Sequence, residues 1–257
     1  MKDNFSTQAS DYARFRPTYP PELIAALAGL APGLQAAWDC GTGNGQVAVQ
    51  LAEHFDAVFA TDISAKQLSH APAHPRIRYA VEPAEHCSAP AQAFDLATVA
   101  QAVHWFHFER FYAEVRRVLR PGGVLALVGY AMFRSGSDLL DEAILHFYTD
   151  TVGPFWDPER SYIEAGYRTL PFPFAEVPMP AFEMKASWSF DDLLGYLNSW
   201  SAVQHYRRSE GSNPVDQVAA RLRQAWGGAA EREIRFPLLL RVGTAASIPD
   251  GRGNARF

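Results

Sequence analysis

From Pro21 onward the chain alternates between two hydrophobic patterns. Leu23, Ile24, Leu27 and Leu30 recur at helical spacing, and Pro21 suits a first turn, so a helix is predicted from Pro21 to the Pro32-Gly33 break. Ala36 to Cys40 is a short apolar run closed by Gly41-Thr42-Gly43-Asn44-Gly45, which reads as a strand entering a glycine turn. Val47, Ala48, Val49, Leu51 and Ala52 then suit a buried helix starting near Asn44. Ala57 to Asp62 predicts a second strand, and Ser64 the cap of a short helix through Leu68. Arg76 to Val81 predicts a third strand and Phe94 to Ala100 a fourth. Phe108, Phe111, Tyr112, Val115, Val118 and Leu119 keep the 3.6-residue period, giving a helix over 107–119 that Arg120-Pro121-Gly122-Gly123 ends. Val124 to Val128 is the fifth strand.

Strands alternating with helices across short Gly and Pro loops give a parallel α/β sheet. Right-handed crossovers bring the carboxyl ends of such strands to one edge, where ligands bind. After residue 130 the rhythm breaks. Leu139, Leu140, Ala143, Ile144 and Phe147 predict an amphipathic helix, and residues 151–182 are rich in Pro and aromatics. One helix is expected over 190–206 and another through Val215, Val218, Leu222 and Trp226. Ile234, Phe236, Leu238, Leu240 and Val242 alternate as a last strand. Pro237 is awkward inside a sheet, because it has no N–H to give, and calls for a bulge. The expected division is one domain over 1–245, with an arm over 1–20, a core over 21–130, a lid over 131–230 and a last strand over 231–243. A polar tail follows over 246–257.

Composition narrows the function classes. With 48% hydrophobic and 20% charged residues, the bulk of the 257-residue chain can bury a core and is not disordered. A net charge of −5 supplies no basic footprint, so nucleic acid is not an expected partner. No apolar stretch is long enough to span a bilayer. Cys40 and Cys87, without a secretory signal, read as reduced thiols of a cytoplasmic protein. Aromatics reach 13%, so their placement matters. They gather in the arm (Tyr12, Phe15, Tyr19), after the fourth strand (Trp105, Phe106, Phe108) and in the proline-rich segment. A dry, lidded pocket is the expectation.

The glycine turn carries the chemistry. Gly41, Gly43 and Gly45 allow a tight turn and close approach of a ligand, and the following helix offers free N–H groups. Asp62 ends the next strand, where a carboxylate can accept both hydroxyls of a ribose. Two adenosine-bearing cofactor classes use this arrangement. A dinucleotide site carries Gly-x-Gly-x-x-Gly, but Gln46 holds the place of the third glycine. Asp39 before the loop would repel a pyrophosphate and suits a cationic ammonium, which favours S-adenosylmethionine. A nicotinamide-dependent oxidoreductase and a non-catalytic adenosyl-ligand binder are the alternatives.

Four stretches give a more specific resemblance: Tyr12 to Pro20, Trp38 to Gln46, Ala100 to Phe106, and Leu119 to Gly123. On these the chain resembles class I S-adenosylmethionine-dependent methyltransferases of the type 11 group, most closely the branch that includes trans-aconitate methyltransferases. The resemblance implies a Rossmann-like α/β fold: a mostly parallel seven-stranded sheet, helices on both faces, a helical lid insertion, and a last strand that is antiparallel and interior. It implies that Asp39, Gly41, Thr42 and Gly43 hold the methionine moiety, with Gln101 near its end. Asp62 would bind the ribose and Ile63 lie against the adenine. Ala84 and Glu85 would frame the adenine amino group, although Pro83 stands where the group often has an acid. Tyr12 and Arg16 belong to an arm that folds over the cofactor, and Arg16 could pair with its carboxylate.

Methyl transfer from a sulfonium needs alignment and a dry site more than proton transfer. A carboxylate acceptor is ionised at neutral pH and requires no base. A phenol or amine would be helped by one, and His104 is the candidate, unless it simply packs beside Trp105. Trp105, Trp156 and Trp200 are candidates for the roof over a small-molecule acceptor, with Phe133, Tyr148, Phe155 and Tyr206 behind them. Arg207, beside Arg208, could hold an anionic acceptor. His104 and His107 lack acidic or cysteine partners, so no metal is expected.

Overall fold

The computed structural model describes residues 17–245. Tyr12, Arg16 and the 246–257 tail lie outside the described residues. Helix α1 (Pro21–Leu30) begins on Pro21 and buries Leu23, Ile24 and Leu27. Strand β1 (Ala36–Cys40) leads through the glycine turn into α2 (Gln46–Leu51), whose N-cap Gly45 has φ +83°. Strand β2 (Ala57–Asp62) is followed by α3 (Ala65–Leu68), capped as expected by Ser64, whose side chain accepts from Gln67 N–H. Then come β3 (Ile77–Val81), β4 (Phe94–Ala100), α4 (Phe108–Val118) and β5 (Leu119–Tyr130).

The sheet runs β3-β2-β1-β4-β5-β8-β6, and β7 pairs with β8 off that path. Strands β1 to β5 are mutually parallel. The interior β8 (Arg232–Thr244) runs antiparallel to β5, and both β6 (Ala175–Glu176) and β7 (Glu183–Trp188) run antiparallel to β8. The sheet is therefore mixed and eight-stranded, where seven strands were expected. The extra strand is β7, whose sequence EMKASW alternates polar and apolar residues and buries Met184 and Trp188, a period-two signal behind the proline-rich segment that the reading of the sequence did not use.

Pro237 needs no bulge. Residues 238–244 of β8 pair with β5, while residues 232–237 pair with β7, both in continuous register. Pro237 stands at this change of partner, where its carbonyl accepts from Ala131 N–H at 3.0 Å and no donor is missed. The Pro121-Gly122-Gly123 turn lies inside the longer β5 rather than before it. Leu119 pairs with Phe94 and Val124 with Leu96, so the turn is an irregularity of register.

Alternate residues of the central strands face two separate cores. Val124, Ala126 and Val128 join α1, α2 and the elements after residue 130. Leu125 and Leu127 pack with Trp38, Phe111 and Val115 on the α4 side. The cover consists of α5 (Asp138–His146), a π-helical turn Phe147–Thr151, α6 (Arg160–Glu164), α7 (Phe190–Asn198), α8 (Ser201–Glu210) and α9 (Pro214–Trp226). The single helix expected over 190–206 is two. Ser199 Oγ donates to Tyr196 O at 2.6 Å, and Trp200 leaves helical geometry at φ −71°, ψ 136°. Leu139, expected on the apolar face of α5, is exposed.

Candidate functional site

The carboxyl ends of β1, β2 and β4 meet over the glycine turn. Gly41 has φ +71°, and a Cβ there would come within 2.7 Å of Ala102 Cβ, so only glycine lets the turn lie against the loop after β4. A cavity opens at this edge. Of the residues expected at a cofactor, Asp39, Gly41, Thr42, Gly43, Asp62, Ile63, Ala84 and Gln101 all line it. Pro17 and Tyr19, the described end of the arm, line it as well. Gln50 Nε2 donates to Tyr19 O at 2.8 Å and fixes that end.

Asp62 is oriented by backbone donors: Oδ2 accepts from Gly43 N–H at 2.9 Å and Oδ1 from Ser64 N–H at 2.8 Å. A carboxylate held in this orientation at a strand end suits the vicinal diol of a ribose. A Cβ on Gly43 would meet nothing within 4 Å, so the turn is open on that side. Asp39 is buried. Its Oδ2 accepts from Thr42 Oγ1 at 2.5 Å and its Oδ1 from Thr98 Oγ1 at 2.8 Å. Burial pushes its carboxyl up to about 6 against the two hydroxyls, and Asp62 pushes it the same way. Among the described residues no cation is one of the groups that act on it. A buried carboxylate short of a cation fits an ammonium, and Asp62 fits a ribose, so these residues suit an adenosyl amino acid.

Gln101 adopts φ +54°, a rare conformation for a side chain of its size, and its N–H donates to Val128 O at 2.8 Å. It lines both this cavity and a second one beneath the cover, together with Trp105 and Tyr130. Tyr130 was not singled out by sequence, although its position at the end of β5 follows the strand-end rule. The second cavity is also lined by His104, the candidate base, and by Trp156 and Trp200, the candidates for the roof. His104 is buried. Its Nδ1 lies 3.4 Å from the Tyr167 hydroxyl, and its ring packs at 5.0 Å from that of Trp105.

Two expected residues are not brought to the cavities. Glu85 is turned to the start of α4, where Oε1 accepts from His107 N–H at 2.9 Å, and Glu82 lines the first cavity instead. Around Pro83 the acid nearest this cavity is thus Glu82, one residue earlier, with its Oε2 accepting from Ser88 N–H at 2.9 Å. Arg207 is exposed near the end of α8, where a basic residue meets the helix dipole. The second cavity is lined by Arg160, at the start of α6, alongside Asp157, Tyr196 and Ser201. No pattern in the sequence marks these four. The segment that carries Asp157 and Arg160 has neither helical nor strand periodicity, and only the folded cover turns it inward.

Phe133 packs against Trp188, Tyr196 and Phe236 in the core, while Phe155 contacts Tyr206. Among the described residues no helix is long and apolar enough to cross a membrane, and no group of three or more His, Cys, Asp or Glu side chains could hold a metal ion.

Comparison with known proteins bears on this edge directly. A family described as "Methyltransferase domain" matches residues 38–127. A Dictyostelium discoideum protein that bears a methyltransferase name is 30% identical over 246 residues, covering 93% of each chain. A Mycobacterium tuberculosis protein named as an uncharacterized methyltransferase is 33% identical over 180 residues, 69% of this chain and 68% of the relative. A solved structure from Anaeromyxobacter dehalogenans, described as a type II methyltransferase, superposes with a TM-score of 0.84 at 42% identity, covering 90% of this chain and 99% of that one.

Proposed function

The chain belongs to the methyltransferase family, and from that premise we propose that it moves the methyl group of S-adenosylmethionine to a small organic acid held beneath the helical cover. It is an S-adenosylmethionine-dependent enzyme, which sets aside the nicotinamide alternative. The small acceptor is supported by one observation above the rest: the cofactor cavity and the aromatic cavity share Gln101, Trp105 and Tyr130.

In this reading Asp62 takes the ribose hydroxyls, with Ile63 and Ala84 along the adenine. Asp39 and the Gly41–Gly43 turn hold the methionine ammonium, and Gln101 lies towards the transferring end. Arg16 and Tyr12 would close the arm over the cofactor. The cofactor supplies an activated methyl group, and the chain supplies alignment and exclusion of water. An ionised carboxylate needs no base. A phenol or an amine would draw on His104, whose ring borders the acceptor cavity. The stretches shared with the trans-aconitate methyltransferase-like branch favour an acid.

The test is release of S-adenosylhomocysteine over a panel of small acids, phenols and amines. Turnover with acids is expected, and turnover confined to amines would overturn the acceptor class. Failure to bind S-adenosylmethionine at millimolar concentration would sink the whole reading. Asp62→Ala removes an acceptor for two hydroxyls and should weaken cofactor binding about 100-fold by calorimetry. Unchanged affinity would remove Asp62 from the ribose site.

A further inference from the structure

Among the described residues, Arg160 is the one arginine or lysine lining the aromatic cavity. Its position is fixed from several sides. Nε donates to the Tyr148 hydroxyl at 3.0 Å, and that hydroxyl donates to Glu164 Oε1 at 2.5 Å. The guanidinium lies 4.7 Å from the centre of the Trp156 ring and 5.5 Å from that of Tyr148. Stacking on two rings and one hydrogen bond immobilise a side chain that otherwise samples many rotamers. Yet no carboxylate among the described residues forms an ion pair with it, and neither Nη atom makes a hydrogen bond there. Four N–H donors of a held, half-buried cation are thus left for a ligand or for water.

Asp157 lines the same cavity and is the rival feature. Its Oδ2 is buried without a hydrogen bond, and His205 Nδ1 lies 3.9 Å from it. A carboxylate among aromatic walls can recognise a cationic ligand. Arg160 argues against that occupant, because its own charge already stacks on Trp156 and would repel a second cation at the same wall. Asp157 in turn disfavours a polyanion and leaves a place for a hydrogen-bond donor.

We propose that Arg160 reads the acceptor, holding one carboxylate of a small acid that also carries a hydrogen-bond donor. This rests on the methyltransferase reading above. A carboxylate paired with a guanidinium is a weakened nucleophile, since the pairing is stronger for the anion than for the ester it would become. The held carboxylate is therefore an anchor. An oxygen of a second group, placed towards Gln101 and Trp105, bonds to the methyl carbon as the methyl–sulfur bond breaks, and the electron pair stays on the sulfur of the departing S-adenosylhomocysteine. A second carboxylate has no proton to lose, and the proton of a hydroxyl passes to His104 or to water.

Three probes of one shape and different charge test this: 3-hydroxybenzoate, 3-hydroxybenzamide and 3-hydroxybenzylamine. Binding of S-adenosylhomocysteine is measured first by calorimetry, and its failure counts against the methyltransferase reading alone. Each probe is then titrated into the protein with and without S-adenosylhomocysteine. The benzoate should bind at least about tenfold more tightly than the amide, and the amine most weakly, as expected for a charge-assisted pair. Arg160→Gln should bring the benzoate-to-amide ratio near one, and Arg160→Lys should keep part of it. For any acid that is turned over, Arg160→Gln should raise KM far more than it lowers kcat, as for an anchor that does not react. Three results would overturn the proposal: tightest binding of the amine, an anion preference unchanged in Arg160→Gln, or no binding of the benzoate at millimolar concentration. The first would assign the cavity to a cation read by Asp157. The wild-type ratio decides the charge preference even if a variant fails to fold.

Discussion

Asp39 is the residue at which the cofactor site should respond to pH. Its carboxyl sits at about 6 in the fold against an ordinary 3.8, chiefly because burial penalises the charge. The fold therefore binds a proton at Asp39 more readily than the unfolded chain does. Stability contributed by that proton is full below about 3.8 and is lost as pH rises through about 6. An ammonium beside Asp39 prefers the ionised form, so cofactor binding has the opposite slope. Affinity for S-adenosylhomocysteine should be full near pH 7, where the ligand's ammonium and the carboxylate are both charged, and fall about tenfold by pH 5, one unit below the carboxyl's own value. Asp39→Asn should bind more weakly at pH 7 and give a flatter profile. A wild-type calorimetric profile as flat as that of the variant would remove Asp39 from the ammonium site. Asp39, Gly41 and Asp62 were legible in sequence because the turn is local and its spacing is dictated by backbone geometry. Arg160, Asp157 and Tyr196 were not, because they come to the acceptor cavity from segments that only tertiary packing brings together.

Among the elements, the parallel half of the sheet depends on one side chain that binds three strands. Asp95 is the second residue of β4 and is buried, and its Oδ2 accepts from the N–H groups of Gln35 and Ala36 at 2.9 and 3.0 Å where β1 starts. Both oxygens accept from Arg120 Nη1 of β5, at 2.6 and 2.7 Å. Removing the carboxylate leaves two strand-end donors and a guanidinium without their partner. Asp95→Ala should therefore cost about 3 kcal/mol in urea denaturation, and Asp95→Asn less, since an amide oxygen can still accept from the backbone. A loss within experimental error for Asp95→Ala would mean that the pair is solvated in solution. The first five strands were legible because each is a short apolar run between Gly, Pro or polar breaks. The elements after residue 130 were less so. The break at Ser199-Trp200 leaves the apolar period of 190–206 intact, and a hydroxyl bond to Tyr196 O interrupts the backbone without changing the pattern. Two-residue β6 is too short to carry a pattern and is a strand only because β8 offers it an edge, whereas β7 alternates over all six residues and was legible in principle.

For the whole molecule, the question is whether the cover melts with the sheet or apart from it. Leu23 and Val47 of the first helices, Val124, Ala126 and Val128 of β5, and Tyr196, Trp200 and Trp226 of the cover all belong to one continuous buried cluster. Strand β8 ties the halves again, pairing with β5 over one stretch and with β7 over the next. A cover that opened alone would expose part of that cluster and break the β7 pairing. Cofactor-free protein should accordingly unfold in a single calorimetric transition, with tryptophan fluorescence and far-ultraviolet dichroism coincident. Trp38 reports the α4 side of the sheet, while Trp156, Trp200 and Trp226 report the cover, so the fluorescence sees both. Because the cofactor cavity lies at the sheet edge and shares Gln101, Trp105 and Tyr130 with the cavity under the cover, a ligand in the first should stabilise both halves together. S-adenosylhomocysteine at a hundred times its Kd should add about 2.7 kcal/mol and raise the single Tm by roughly 5–10 °C. Two separated transitions, only one of them moved by S-adenosylhomocysteine, would show instead that residues 131–230 fold on their own.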